Sequence, residues 1–249
     1  MSWESTLNQL ETGSLRSALK NASGQWEANV TAKEAILAAF RAGENVGYEE
    51  GYDGFVDKHN LKPRKFSVDD GVRMVPGGSS VRRGAYVAPS VIIMPPAYIN
   101  TGAYVDEGTM VDSHVLVGSC AQIGKNVHLS AGVQIGGVLE PVGMSPVVIE
   151  DDVFVGAGSI IVEGAVVSKR AVIAPSVVLS KGVRVYDCVN ETLLEKGAPI
   201  PEGAVVIPGT RPIDTPWAKA QFLQASCPII IKYRDDKSNK ALSLEEALR

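Results

Sequence analysis

The sequence predicts a mainly β fold, a parallel β-helix of hexapeptide repeats, on three observations. First, an aliphatic residue recurs at every sixth position: Val81, Val87, Ile93, Ile99, Val105, Val111, Val117, Ile123, Leu129 and Ile135. After one break the beat resumes with Ile149, Val155, Ile161, Val167, Ile173, Leu179 and Val185. That period is neither the 3.6 of a helix nor the 2 of a plain strand, and it marks a solenoid. Second, the residue four positions after each anchor is apolar or small, as at Val91, Ala97, Ala103, Thr109, Val115, Ala121, Val127 and Val133. It supplies a second inward position along a short strand. Third, the residue three positions after many anchors tolerates positive φ: Gly102, Gly108, Asn126, Gly132, Asp152, Gly158, Gly164 and Gly182. Such residues suit corners.

Each hexapeptide is then one side of a triangular prism, and three sides close a coil of about eighteen residues. Hexapeptide prisms coil left-handed as a family trait, an exception to the usual right-handed crossover, and the period itself does not set the hand. The complete expectation is a left-handed parallel β-helix with a small α-helical N-terminal domain and a short C-terminal strand and helix tail.

Residues 1–75 lack the beat and are assigned to the helical domain. Leu7 to Lys20 and Thr31 to Ala42 have helical spacing, with Ala35, Ile36, Ala39 and Phe40 on one face and Asn29 or Thr31 as the start. Gly43 to Lys65 is polar and loop-like. The domain is expected to pack on the first coil, or to cap the open end that a solenoid must close. Residues 76–190 form the prism. Its one interruption, 136–148, must leave a corner as a loop, and such loops are commonly functional. In the extension 191–249, Pro199 to Thr210 reads as extended, Ala225 to Tyr233 as a strand and Ser243 to Arg249 as a short helix.

Composition excludes several classes. A net charge of −4 without a basic run argues against nucleic acid. No apolar stretch approaches a membrane span, and the N-terminus lacks a signal-peptide pattern. Cys120, Cys188 and Cys227 are odd in number and read as reduced thiols, so a cytoplasmic protein is expected. The low aromatic share of 6% fits a narrow prism filled by Val, Ile and Ala. His59, His114 and His128 have no metal-like spacing, so no metal site is expected.

A smooth column has no cleft, so sites are expected between columns of a homo-oligomer, a trimer matching the threefold cross-section. Charged and polar outward positions cluster at Asp106, Glu107, Asp112 and His114, then at Lys125, His128 and Gln134. Asp106 and Asp112 either cap turn amides, as Asp often does, or carry chemistry at a corner. Lys181 and Arg184 are basic residues in the last coils, a type that is ordinarily solvated at a surface.

The stretch from Gly102 to Asp112, Gly-Ala-Tyr-Val-Asp-Glu-Gly-Thr-Met-Val-Asp, resembles the tetrahydrodipicolinate N-succinyltransferases. So do Val117 to Leu129 (Val-Gly-Ser-Cys-Ala-Gln-Ile-Gly-Lys-Asn-Val-His-Leu) and Ile135 to Pro141 (Ile-Gly-Gly-Val-Leu-Glu-Pro). Gly13-Ser-Leu-Arg16, Gly24-Gln-Trp26, Ala35 to Arg41, Cys227 to Lys232 and the final Leu-Arg extend the similarity over nearly the whole chain. The resemblance implies a trimeric enzyme of lysine and diaminopimelate biosynthesis with its active site between adjacent left-handed β-helices. It would move a succinyl group from succinyl-CoA, as co-substrate, to the amine of ring-opened tetrahydrodipicolinate, with no permanently bound cofactor and no metal. Asp112 matches the family's aspartate at the acceptor amine, Arg73 its acceptor-binding arginine, and Ser119 a residue lining the acceptor pocket, while Lys181 and Arg184 would meet the CoA phosphates. There is one departure. Gly158 and Ile160 stand where the family has Arg and Glu, while Glu163 is retained. Ile160 cannot move a proton, which leaves acetyl-CoA open as donor, as well as a related amino dicarboxylate acceptor or a non-catalytic CoA-binding trimer.

Overall fold

A computed structural model describes residues 2–48 and 54–234. From Arg73 the chain winds into a three-faced parallel β-helix of two-residue strands. The first face holds ten strands in all. Arg73–Met74, Ile92–Ile93, Met110–Val111, His128–Leu129, Phe154–Val155 and Val172–Ile173 stack in register, and strands of the C-terminal extension continue the sheet. The second face has six, from Ser80–Val81 to Val178–Leu179, and the third has five, from Tyr86–Val87 to Val166–Val167.

Each predicted anchor from Val81 to Leu179 is the second residue of its strand, and almost all of these are fully buried in one continuous core; Val185, the last predicted anchor, lies just before the strand Tyr186–Asp187. The first residue of each strand points outward. Truncating a fully buried anchor such as Ile123 would cost about 2–5 kcal/mol, because the surrounding coils cannot collapse onto the void.

The corners follow the predicted spacing further than composition suggested. Besides the glycines, Asn126 and Asp152, the equivalent positions Ser90, His114, Cys120, Arg170 and Ser176 all have positive φ. Geometry dictates this conformation even where the residue disfavours it. Among the corners predicted, Gly182 is the exception, with no left-handed φ. There the chain leaves the coil, and Tyr186–Asp187 pairs with Gln224–Tyr233.

The N-terminal region departs from expectation in three ways. The first helix, α1, spans Trp3–Glu11 and stops well short of Lys20, because Thr12 and Gly13 (φ +75°) turn the chain. Ala18–Lys20 is instead a strand paired with Trp26–Ala28. The region expected to be loop-like contains the antiparallel pair Asn45–Gly47 and Val56–Lys58. The second helix, α2, spans Val30–Ala42, with Asn29 as its N-cap.

The domain packs on the first coil, with Phe66 and Val72 against the prism core and the Arg64 amide on Val81 O (2.7 Å), and it also runs on past that coil. Leu7 approaches Gly84, Ile36 approaches Gly102, Arg16 bonds Gln122 and Trp26 bonds Glu150, so it lies along four successive coils beside the third face. In the extension, Ala204–Pro212 and Gln224–Tyr233 form a long hairpin around the short helix α3, Pro216–Ala220. Ile200, Ala204, Val206 and Ile230 join the prism core and close its end. The helix expected at Ser243 to Arg249 lies outside the described residues.

Candidate active site

Asp112 follows the anchor Val111 at the corner between the first and second faces. Its amide donates to Leu129 O (3.0 Å), which holds it in the coil ladder. Its half-buried carboxylate accepts the Ser113 amide through Oδ1 (2.7 Å). The turn-capping role and an available functional group coexist here, because Oδ2 accepts no hydrogen bond among the described residues. His114 completes the corner at φ +62°, exposed, with its amide on Pro96 O and its carbonyl accepting Gln134 Nε2 (3.1 Å). His128 lies on the first face, its ring 5.1 Å from that of Phe154.

Arg73 is exposed in the outward column of the first face, in register with Ile92 and then Met110. Two strand spacings put it about 10 Å along the prism from the Asp112 coil, within reach of a long side chain and a dicarboxylate. Ser119 sits elsewhere, at the corner between the second and third faces, where its carbonyl accepts the Val138 amide (3.1 Å). Lys181 lies on the same edge three coils on, about 14 Å away. Exposed Arg184 follows it, and exposed Glu163 (φ +58°) lies one coil before Lys181. A single prism therefore presents two groups, Arg73 on the first face with Asp112 at that face's edge, and Ser119 with Lys181 on another edge.

The position of the absent glutamate is explicit. Ile160 is the outward residue of its strand on the second face and is 38% exposed, beside Val178 at 49%. These two form a partly exposed apolar stripe.

The inserted loop does not project freely. Val138 is buried in the prism core, Leu139 packs against the cluster that contains Leu7, Ile36 and Cys120, and Ser145 Oγ donates to Trp26 O (3.3 Å). The key residue is Lys33 on α2, fully buried, whose Nζ donates to Met144 O (2.7 Å) and Pro141 O (3.3 Å). Burial holds its pKa below the usual lysine value, partly opposed by Cys120. Sequence reasoning passed over Lys33, yet its spacing from Ile36 put a cation on the apolar face of α2, and that was the available signal. Glu140 remains exposed at the loop's outer side.

Burial pushes the Cys120 thiol up to about 11, against smaller opposing effects of Ser17 and Lys33, and burial also raises Cys227. Since the thiolate is the reactive form, a thiol reagent at neutral pH should label exposed Cys188 alone in the native protein. All three should react after unfolding, and mass-spectrometric mapping of the labelled peptides checks both statements.

Comparison with known proteins agrees with this architecture. Residues 3–42 match the family described as tetrahydrodipicolinate N-succinyltransferase N-terminal. A 2,3,4,5-tetrahydropyridine-2,6-dicarboxylate N-succinyltransferase of Nitrosococcus oceani is 44% identical over 250 residues, covering 99% of this chain and 88% of the relative. The enzyme of the same name from Neisseria meningitidis is 42% identical over 91 residues, 35% of this chain and 33% of that protein. The fold is shared with the crystal structure of a candidate 2,3,4,5-tetrahydropyridine-2-carboxylate N-succinyltransferase from Campylobacter jejuni. The TM-score is 0.62 at 18% identity, over 92% of this chain and 63% of the other. With the N-terminal match and a full-length relative at that identity, the chain belongs to the tetrahydrodipicolinate N-succinyltransferase family.

Proposed function

We propose that the protein transfers a succinyl group from succinyl-CoA to the amine of tetrahydrodipicolinate in its ring-opened 2-amino-6-oxopimelate form. The observation that carries the reading is the half-buried Asp112 carboxylate, one oxygen tied to the Ser113 amide and the other unbonded. A carboxylate fixed through one oxygen orients an amine with the second and takes its proton as the nitrogen attacks the thioester carbonyl. The tetrahedral intermediate then expels the CoA sulfur, the C–N bond replaces the C–S bond, and the thiolate takes up a proton. Arg73 binds an acceptor carboxylate through parallel hydrogen bonds, and holding amine and thioester together supplies much of the rate. Lys181 and Arg184 meet the CoA phosphates.

The active unit is a homotrimer with sites between subunits. The division of groups over two edges supports this, since joining Asp112 to Ser119 takes the first edge of one prism and the second edge of another. The partly exposed Ile160 and Val178 stripe supports it too, as a face that a neighbouring copy would bury. Three free cysteines are in keeping with a cytoplasmic location.

Ile160 favours one second reading, acetyl-CoA as the donor. The decisive assay is CoA release by the purified protein with tetrahydrodipicolinate and either thioester. Faster turnover with succinyl-CoA is expected. Preference for acetyl-CoA moves the protein to acetyl transfer, and no release with either donor overturns the proposed reaction.

A further inference from the structure

A cavity of about 230 Å³ lies between the N-terminal domain and the corner joining the third face to the first, the edge that carries neither Asp112 nor Ser119. Its size is below that of a cleft for a drug-sized ligand, typically about 300–1,000 Å³, and suits a smaller molecule. Most of its charged groups are already satisfied. Glu150 accepts Lys20 Nζ (2.7 Å), Trp26 Nε1 (2.9 Å) and the Lys169 amide (3.2 Å). Asp151 takes the Lys125 amide (3.0 Å) and Lys169 Nζ (3.2 Å), and Lys125 Nζ is on Glu107 (3.0 Å).

Two groups of opposite sign are not committed. Arg16 donates through Nε alone, to Oε1 of fully buried Gln122 (2.8 Å), whose own amide nitrogen is fixed on Cys120 O and Ala121 O. The guanidinium lies 3.8 Å from the Tyr104 ring centroid and 5.3 Å from that of Trp26. It is thus held rigidly while its two terminal nitrogens have no hydrogen bond among the described residues. Asp106 is half-buried, and only its Oδ1 is engaged, by the Glu107 amide (2.9 Å). Arg16 and Asp106 line the same cavity without forming an ion pair. Burial lowers the Arg16 pKa, while Tyr104, Asp106 and Asp151 act the other way, so the cation and the carboxylates sense each other across the space.

A preorganised fork that donates two parallel bonds fits a carboxylate, and an uncommitted aspartate oxygen fits an ammonium. We propose that this cavity binds a small zwitterion of the α-amino-acid class, its carboxylate on the Arg16 guanidinium and its ammonium on Asp106. A purely anionic ligand would meet the three carboxylates lining the cavity, and a purely cationic one would meet Arg16 and three lysines. Only a molecule carrying both charges satisfies both walls. The site does not depend on the reaction assigned to Asp112.

The test is isothermal titration of the intact protein with glycine, L-alanine and L-lysine, with acetate and methylammonium as single-charge controls. At least one amino acid should bind, and both controls should bind more weakly. Asp106→Asn, which keeps an acceptor for the Glu107 amide, should weaken binding at least about tenfold, and Arg16→Gln should do the same. Asp112→Asn should bind as the wild type does. Should Arg16→Gln fail to fold, Asp106→Asn decides alone. The proposal is overturned by no binding of any of the three at about 10 mM, by unchanged affinity in Asp106→Asn, or by loss of binding in Asp112→Asn, which would put the ligand at the acceptor site.

Discussion

Asp112→Asn should leave a folded protein with turnover reduced by about 10²–10⁴, the usual contribution of a positioned general base. The substitution is nearly isosteric, and the asparagine carbonyl can still accept the Ser113 amide, the bond that shapes the corner. Stability should therefore change by less than about 0.5 kcal/mol, as for surface positions outside special structure. What disappears is the second oxygen as a proton acceptor. Steady-state CoA release on the variant, beside a thermal melt and sedimentation to check fold and assembly, makes the comparison. Near-normal kcat would remove Asp112 from the chemistry, and the proton would then have to leave through the substrate or through His114 at the same corner.

Much of this arrangement was legible before any coordinates. A β-helix is close to one-dimensional, and each coil contacts mainly its neighbours, so a period of six dictates register, inward positions and corners together. Val111 as anchor placed Asp112 at a corner, and Gly102, Gly108 and Gly132 placed the turns. The limits were equally physical. Thr12 and Gly13 ended α1 where apolar spacing alone ran on to Lys20, because a left-handed residue packed against the Tyr86 ring leaves no tertiary trace in the sequence. The pairing of Asn45–Gly47 with Val56–Lys58 carries too few residues for a pattern to emerge. The beat also could not say which edge meets which. Asp112 and Ser119 are only seven residues apart, yet they stand on different corners of the triangle.

The loop was the hardest part to read, since an insertion at a solenoid corner is ordinarily taken to project. Here Lys33, Leu139 and Ser145 tie it to the N-terminal domain, while Val138 enters the prism. The loop is thus a wedge that joins the two parts. Its seat depends on backbone approaching backbone, which only glycine permits.

Gly118 is the test of that seat. A Cβ there would fall on the backbone of the loop's first residues, 2.6 Å from Gly137 Cα and 2.7 Å from Gly136 C, with Gly137 N closer still. Backbone cannot swing aside as the end of a side chain can. In Gly118→Ala the loop base must lift, which stretches the Val138 amide's bond to Ser119 O and moves Val138 and Leu139 out of their clusters. It also carries the Met144 and Pro141 carbonyls away from Lys33, leaving a buried cation short of acceptors. A destabilisation of about 3 kcal/mol is expected, at the upper end for overpacking because several contacts fail together. Urea denaturation measures it, and limited proteolysis should cut first between 137 and 147. Gly143→Ala is the control, since a Cβ there has nothing within 4 Å, and its stability should shift by less than about 0.5 kcal/mol. If the two variants melt alike and resist protease alike, the loop is not wedged between domain and prism, and Lys33 must be buried for some other reason.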